Sequence, residues 1–182
     1  LVDINDQLRW GLTYHSKVDY ALEGRTRVTG SVAPGLNGTY DAGLDFTSPE
    51  SIDTSLTWAV DNAWTLYAGT TWTRWSRLDK IVIENDGVAA AYQGRIGSIV
   101  EEMQWDDILS WAVGAAYQLN PEWVLRAGFT YDPSPTNDTH RTVRIPVSDS
   151  KVFSFGAGWD VTPDLTLDVA YSYLHESKGE IN

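Results

Sequence analysis

The residues that could carry out chemistry in this sequence are three histidines and a group of carboxylates. The histidines lie far apart and lack metal-ligand spacing: His15, His140 and His175. The carboxylates near position 100 fit neither a calcium loop nor a general acid and base pair: Glu101, Glu102, Asp106 and Asp107. Because no nucleophile motif is present either, the sequence predicts no enzyme, no metal and no cofactor.

A second chemical group consists of bases at the ends of predicted loops. They could hold an anionic group through charge-assisted hydrogen bonds. The candidates are Arg74, Arg77, Arg95, Arg126, Arg141, Arg144 and Lys151.

Composition limits the classes to which the chain can belong. Its 182 residues include 25 acidic and 13 basic side chains, giving a formal net charge of −12, and no cysteine. This acidity argues against a nucleic-acid partner, since phosphate neutralisation by Lys and Arg supplies most of such affinity. No apolar run approaches the ~18 residues of a membrane-spanning helix. A membrane β-barrel is not excluded, because its strands alternate in polarity.

Alternation of apolar with polar or small residues is the dominant pattern. Leu165, Leu167 and Val169, for example, interleave with Thr166 and Asp168. The pattern predicts seven strands, over residues 8–14, 52–58, 64–72, 109–117, 123–131, 153–161 and 165–173.

The connections between these strands differ in length. Short polar turns are predicted at Asp61-Asn62, Asn120-Pro121-Glu122 and Thr162-Pro163-Asp164, and long loops over residues 28–40, 77–104 and 133–150. One end with short turns and one with long loops is typical of an outer-membrane barrel. The predicted fold is therefore all-β, an antiparallel up-and-down transmembrane β-barrel.

Aromatic residues flank the short turns and predict a membrane-interface belt. They are Trp58, Trp64, Tyr117, Trp123 and Trp159. The alternative is a soluble, secreted β-sandwich for binding or adhesion, whose polar face would be rich in Lys and Glu. Here that face is mostly Gly, Ala, Ser and Thr, which suits a crowded lumen. Because bacterial single-chain barrels have an even strand count, we expect residues 1–182 to form one domain that is part of a larger barrel.

Several motifs, in this order, resemble the FadL family of outer-membrane transporters for long-chain fatty acids and other hydrophobic compounds. The motifs are Trp10-Gly11-Leu12-Thr13-Tyr14, Pro49-Glu50-Ser51, Trp75-Ser76, Trp105-Asp106-Asp107, Leu125-Arg126-Ala127-Gly128, Tyr131-Asp132-Pro133-Ser134-Pro135, Arg141 with Pro146, and Ala170-Tyr171-Ser172-Tyr173. The resemblance implies a 14-stranded barrel with an N-terminal hatch. This chain would be about its C-terminal half, without the hatch and early strands.

The resemblance also implies passive transport. Cargo is captured at the extracellular loops and leaves sideways into the outer membrane. The partners would be a hydrophobic small molecule, either a fatty acid or an aromatic hydrocarbon, and membrane lipid. We expect a monomer when the protein is complete.

The resemblance and the alternation together suggest ligand-binding residues. Arg141 matches a family position and is predicted to contact ligand, with Arg144 and Lys151 nearby. The alternation places Arg126 in the lumen, where it either binds ligand or pairs with Asp168 or Asp132.

The loop over residues 77–104 is unusually apolar. It predicts either a capture surface that includes Ile96 and Ile99 or packing against neighbouring loops. Glu101 and Glu102 stand where family members can carry a base, which favours a neutral cargo.

Overall fold

The computed structural model describes residues 1–139, 141 and 145–179. Over these residues, antiparallel strands form two sheets, and the helices are single short turns. The helical turns are Pro34–Leu36, Trp75–Arg77, Ala90–Tyr92 and Gln93–Gly97. None of the helices described is long and apolar enough to cross a membrane.

The larger sheet, which we call the wall sheet, contains eight strands in an up-and-down order. In spatial order they are β1 (Val2–Asp3), β2 (Leu8–His15), β5 (Ser51–Ala59), β6 (Trp64–Thr73), β9 (Ile108–Asn120), β10 (Trp123–Asp132), β11 (Ser150–Thr162) and β12 (Leu165–Glu176). All seven strands predicted from the alternation are present. The all-β antiparallel prediction is confirmed, with an open rather than a closed sheet.

The short turns are held by side chains that mimic a backbone turn. Asp61 Oδ1 accepts hydrogen bonds from the amides of Ala63 and Trp64, at 2.8 and 2.7 Å. Asn120 plays the same role between β9 and β10. Asx residues favour such turns because their side chains bond the backbone two or three residues on. The predicted turns at these positions are confirmed.

One face of the wall sheet is apolar and aromatic from edge to edge, and we call it the outward face. Cross-strand partners share a face, as in the row Trp10, Leu56, Ala68, Val113, Phe129, Phe153, Tyr173. Val169 is 73% exposed and Phe155 58%. The large apolar side chains that are buried in the described chain all lie outside this sheet: Leu36, Leu78, Val88, Met103 and Trp105. A soluble β-sandwich would instead bury this face against a second layer.

The smaller sheet, which we call the outer sheet, is formed by segments for which the sequence predicted loops or no strand. Its strands, in spatial order, are β3 (Val18–Val28), β4 (Gly38–Ser48), β7 (Lys80–Asn85) and β8 (Ser98–Glu102). The prediction of a long loop over 77–104 was wrong in that this segment forms a hairpin. Its β7 strand docks on β4 through three paired positions only. Pairing between two distant hairpins leaves no local signal in either segment.

Candidate functional site

The long connections converge at the loop end of the wall sheet and form a small hydrophobic core there, which we call the loop core. It consists of buried Leu78, Met103 and Trp105, with Phe46, Trp75, Ile81 and Val147 packed around them. Met103 is 1% exposed, and the Trp75 and Trp105 rings meet edge to face with centroids 5.1 Å apart. The core therefore joins segments from three different connections.

An ion-pair clamp fixes one side of the loop core. Glu50, which is 7% exposed, follows β4 and receives hydrogen bonds from Arg74 Nη1 at 3.2 Å and Arg77 Nη2 at 2.6 Å. A further bond joins Arg77 Nε to Glu50 Oε2. The hydrogen bond from Arg77 lowers the pKa of Glu50 from its ordinary 4.5 to about 2. Glu50 is thus ionised at any pH at which the protein would work.

Backbone hydrogen bonds close the base of the 77–104 hairpin beside the Glu50 clamp. The amides of Met103 and Gln104 donate to the Asp79 carbonyl at 2.8 and 2.9 Å. Gln104 adopts a positive φ of 45°, a left-handed conformation that is uncommon outside glycine and turns the chain sharply. This turn places Trp105 in the loop core.

The third connection, after β10, is organised by Asp149. Its Oδ1 accepts from the Ser134 amide at 2.8 Å and its Oδ2 from the Tyr131 hydroxyl at 3.0 Å. Arg141 is buried, donates from Nε to the Val147 carbonyl at 2.8 Å, and forms an ion pair with Asp138. These bonds carry Val147 into the loop core.

The outer sheet is amphipathic: one face is mostly apolar but includes Glu101, which is paired with Ile81, and the opposite face carries most of the charged residues. The cross-strand pairing places six apolar residues on the same side of this sheet, its apolar face: Tyr20, Leu22, Leu44, Phe46, Ile83 and Ile99. Tyr20 stacks on Phe46 with ring centroids 5.8 Å apart, and the exposed fractions of Tyr20 and Leu22 are 44% and 49%. This face is continuous with the loop core, because Phe46 belongs to both.

The inward face of the wall sheet carries a shallow trough of about 360 Å³ near the middle of β9–β12. Arg126 and Asp168 line it and form an ion pair, with Arg126 Nη1 2.8 Å from Asp168 Oδ1. The predicted pairing of Arg126 with an acid is therefore found, with Asp168. Gly158 makes room for this pair, since a Cβ there would lie 2.8 Å from Asp168 Oδ1.

The structure separates the other predicted ligand-binding residues. Arg141 is bonded within its own loop, and Arg144 lies outside the described residues. Lys151 is paired with Tyr131 and His175 on the outward face, so it does not face the interior. Ile99 lies on the apolar face of the outer sheet, and the Ile96 carbonyl accepts a hydrogen bond from Asn85.

The predicted belt residues share the outward face near the short turns. Trp64 lies against Tyr117 with ring centroids 4.6 Å apart, and Trp123 stacks on Trp159 at 5.2 Å. Trp58 is opposite Leu8 and Leu66. They therefore lie on one face and at one end of the sheet, and their role as a membrane-interface belt stays a prediction.

The Glu50 clamp was not foreseen as a site. Pro49-Glu50-Ser51 appears among the sequence motifs, but its arginine partners lie 24 and 27 residues away. Only the folded connection between β6 and β7 brings them together. Among the described residues, no group of His, Cys, Asp or Glu side chains could hold a metal ion.

Comparison with known proteins identifies relatives over the whole chain. The model of a family described as outer membrane protein transport protein (OMPP1/FadL/TodX) matches residues 1–182. Outer membrane protein P1 of Haemophilus influenzae is 31% identical over 178 residues, which cover 98% of this chain and 37% of that protein. A long-chain fatty acid transport protein of Escherichia coli O6:H1 is 26% identical over 192 residues, covering 98% and 41%.

A solved structure shares the fold. The crystal structure of a Pseudomonas aeruginosa FadL homologue superimposes with a TM-score of 0.79 and 25% identity, covering 95% of this chain and 42% of that one. The chain thus spans about two fifths of the length of these relatives. The outward aromatic face and the family match over every residue lead to one conclusion: the chain belongs to the OMPP1/FadL/TodX family of outer-membrane transport proteins.

Proposed function

We propose that this chain forms the rim and part of the wall of a passive outer-membrane channel for hydrophobic compounds, with a neutral cargo favoured over a carboxylate. The single observation that carries the preference is the pairing of the candidate bases at the loop core and in the inward trough with carboxylates of this chain. An unpaired, buried base would be needed to hold a carboxylate against the competition of water.

The pairing covers the bases nearest the loop core and the inward trough. Arg74 and Arg77 are engaged by Glu50, and Arg126 by Asp168. Recruiting Arg126 to a fatty-acid head group would leave Asp168 unpartnered, and recruiting Arg74 or Arg77 would remove one of the two bases that hold Glu50. A neutral hydrocarbon carries no such cost, because it needs only apolar surface.

The capture surface in this proposal is the apolar face of the outer sheet. Tyr20 and Leu22 lie half-exposed beside the loop core, so a hydrophobic molecule could cover them. Burial of apolar area contributes about 25 cal/mol per Å².

Within the described residues, the wall sheet shows no gap between neighbouring strands from β2 to β12. Its register shifts lie only near the short turns, at Trp123/Val124 and Asp160/Thr162. A lateral exit would therefore lie in another part of the complete barrel.

The test is uptake by cells that express the complete gene in a host without its own transporter of this family. We expect saturable uptake of labelled toluene to exceed that of a labelled long-chain fatty acid. Leu22→Asp should reduce toluene uptake, whereas Ala21→Asp, on the charged face of the same strand, should not. Saturable uptake of fatty acid alone would contradict the preference for neutral cargo.

A further inference from the structure

The outward face of the wall sheet carries two basic residues in an otherwise uncharged surface. Lys151 and His175 are direct cross-strand partners at the loop ends of β11 and β12. Both are exposed, and no carboxylate shares this face in the described strands. Placing bases on a lipid-facing surface calls for an explanation, because the chain as a whole is acidic, with a net charge of −12.

Their height on the barrel explains why they are tolerated there. Lys151 is eight residues from the belt residue Trp159 on the same strand. At about 3.4 Å per residue and a tilt of about 40°, this separation is roughly 20 Å along the membrane normal. The lipid-facing apolar band of such barrels is about 25 Å tall. Lys151 and His175 therefore lie at the opposite boundary of the band, on the side of the long loops.

The Asp149 carboxylate lies near this pair, just before β11, but its Oδ2 is engaged by the Tyr131 hydroxyl and not by either base. Tyr131 belongs to the same cross-strand row as the two bases. Neither Lys151 nor His175 takes part in an ion pair or a side-chain hydrogen bond within the described chain. An anion placed between the two side chains could accept hydrogen bonds from both Lys151 and His175, which are cross-strand partners.

We propose that Lys151 and His175 form a binding site on the outer surface of the barrel for the phosphate of an outer-leaflet lipid. Directly opposite Cβ atoms lie about 5 Å apart, so both side chains can reach one phosphate group. The acyl chains would then lie along the apolar and aromatic residues below, Phe153 and Tyr173 first. This site is separate from the capture surface and does not depend on the cargo.

The experiment measures binding of a bis-phosphorylated lipid A to the complete, folded protein in detergent by native mass spectrometry. The variant is Lys151→Gln with His175→Gln. The matched control is Lys17→Gln with His15→Gln, which removes the same residue types where they are paired with Asp19 and Asp53. Heat-modifiable migration on gels verifies that each variant is folded.

We expect the Lys151/His175 variant to lose at least roughly five-fold in affinity, the scale of one basic residue near a membrane surface. The control should bind like the parent protein. Equal affinity in both variants would overturn the site. Laurate, a carboxylate probe, separates a lipid-phosphate site from a site for carboxylate cargo. If laurate displaced lipid A at concentrations lower than those at which lipid A binds, the two bases would be assigned to cargo and the proposal would fail. Toluene uptake is measured in parallel and should be unchanged.

Discussion

At the residue scale, Glu50 shows how one carboxylate can organise a rim. It joins the end of the outer-sheet hairpin to the connection after β6 through two arginines. Because its pKa is lowered to about 2 from 4.5, its contribution is complete above pH 4.5 and is lost as the pH falls toward 2.

The Glu50 clamp can be tested by pepsin digestion of the complete protein between pH 5 and pH 2. Glu50→Gln removes the charge that both arginines contact, so its loops should be cleaved faster than those of the parent at pH 5. The two proteins should converge near pH 2, where Glu50 itself becomes protonated. Glu84→Gln, at an exposed position of the charged face, is the control. A constant difference at every pH would contradict the assigned titration.

A second residue-scale prediction concerns the space that Gly158 leaves for the Arg126–Asp168 pair. A Cβ at Gly158 would meet Asp168 Oδ1 at 2.8 Å and Val124 Cγ1 at 3.0 Å, whereas one at Gly128 would meet Val113 O at an ordinary 3.5 Å. We expect Gly158→Ala to cost about 1 kcal/mol, at the low end for overpacking. Gly128→Ala should be neutral or slightly stabilising. Urea unfolding of the complete protein in detergent measures both, and equal effects would contradict the geometry.

At the element scale, the two sheets differ in how well the alternation of apolar and polar residues in the sequence predicts their strands. Strict alternation predicted β10, β11 and β12, because each wall strand separates an apolar face from one of small and polar residues. The outer sheet was missed although β3 alternates equally well, as Val18, Tyr20 and Leu22 show. Short β7 and β8 strands become recognisable only once β7 pairs with β4. The loop core likewise joins residues distant in sequence, so its members could not be foreseen.

The loop core predicts a local difference in stability between two neighbouring side chains. Met103 is 1% exposed and Val100, on β8, is 50% exposed. Met103→Ala should destabilise the loop region by about 2–5 kcal/mol through lost burial and the cavity left behind. Val100→Ala should stay within about 0.5 kcal/mol. Hydrogen exchange of the β7–β8 amides in the complete protein reports the difference, and equal protection in both variants would rule out the proposed packing.

The orientation of a whole strand can be tested with one pair of substitutions on β12. Val169 lies on the outward face and Ala170 on the inward face, opposite Gly156. Val169→Arg would place a charge in lipid and should cost about 2–4 kcal/mol near the bilayer midplane. Ala170→Arg would face the aqueous interior and should cost less. The measurement is the free energy of unfolding of each variant of the complete protein in bilayers. A larger loss for Ala170→Arg than for Val169→Arg would mean that the two faces are assigned the wrong way round.

At the scale of the whole molecule, the wall sheet is open. Over the described residues β12 pairs only with β11, and β1 only with β2. Both edges present unpaired amides and carbonyls, which in lipid would each cost several kcal/mol. Closure into a barrel would satisfy both edges in a membrane, and we expect further strands to provide it.

Open edges make a direct prediction for residues 1–182 expressed alone. Because exposed strand edges template association with other chains, this polypeptide should aggregate on refolding into detergent and show no discrete heat-modifiable band. The complete protein, refolded under the same conditions, should show one. Adding the remaining strands as a separate polypeptide should recover the band if edge pairing is the missing element. A monomeric, heat-modifiable species from residues 1–182 alone would mean that the wall sheet can satisfy its own edges, and the larger-barrel architecture would have to be abandoned.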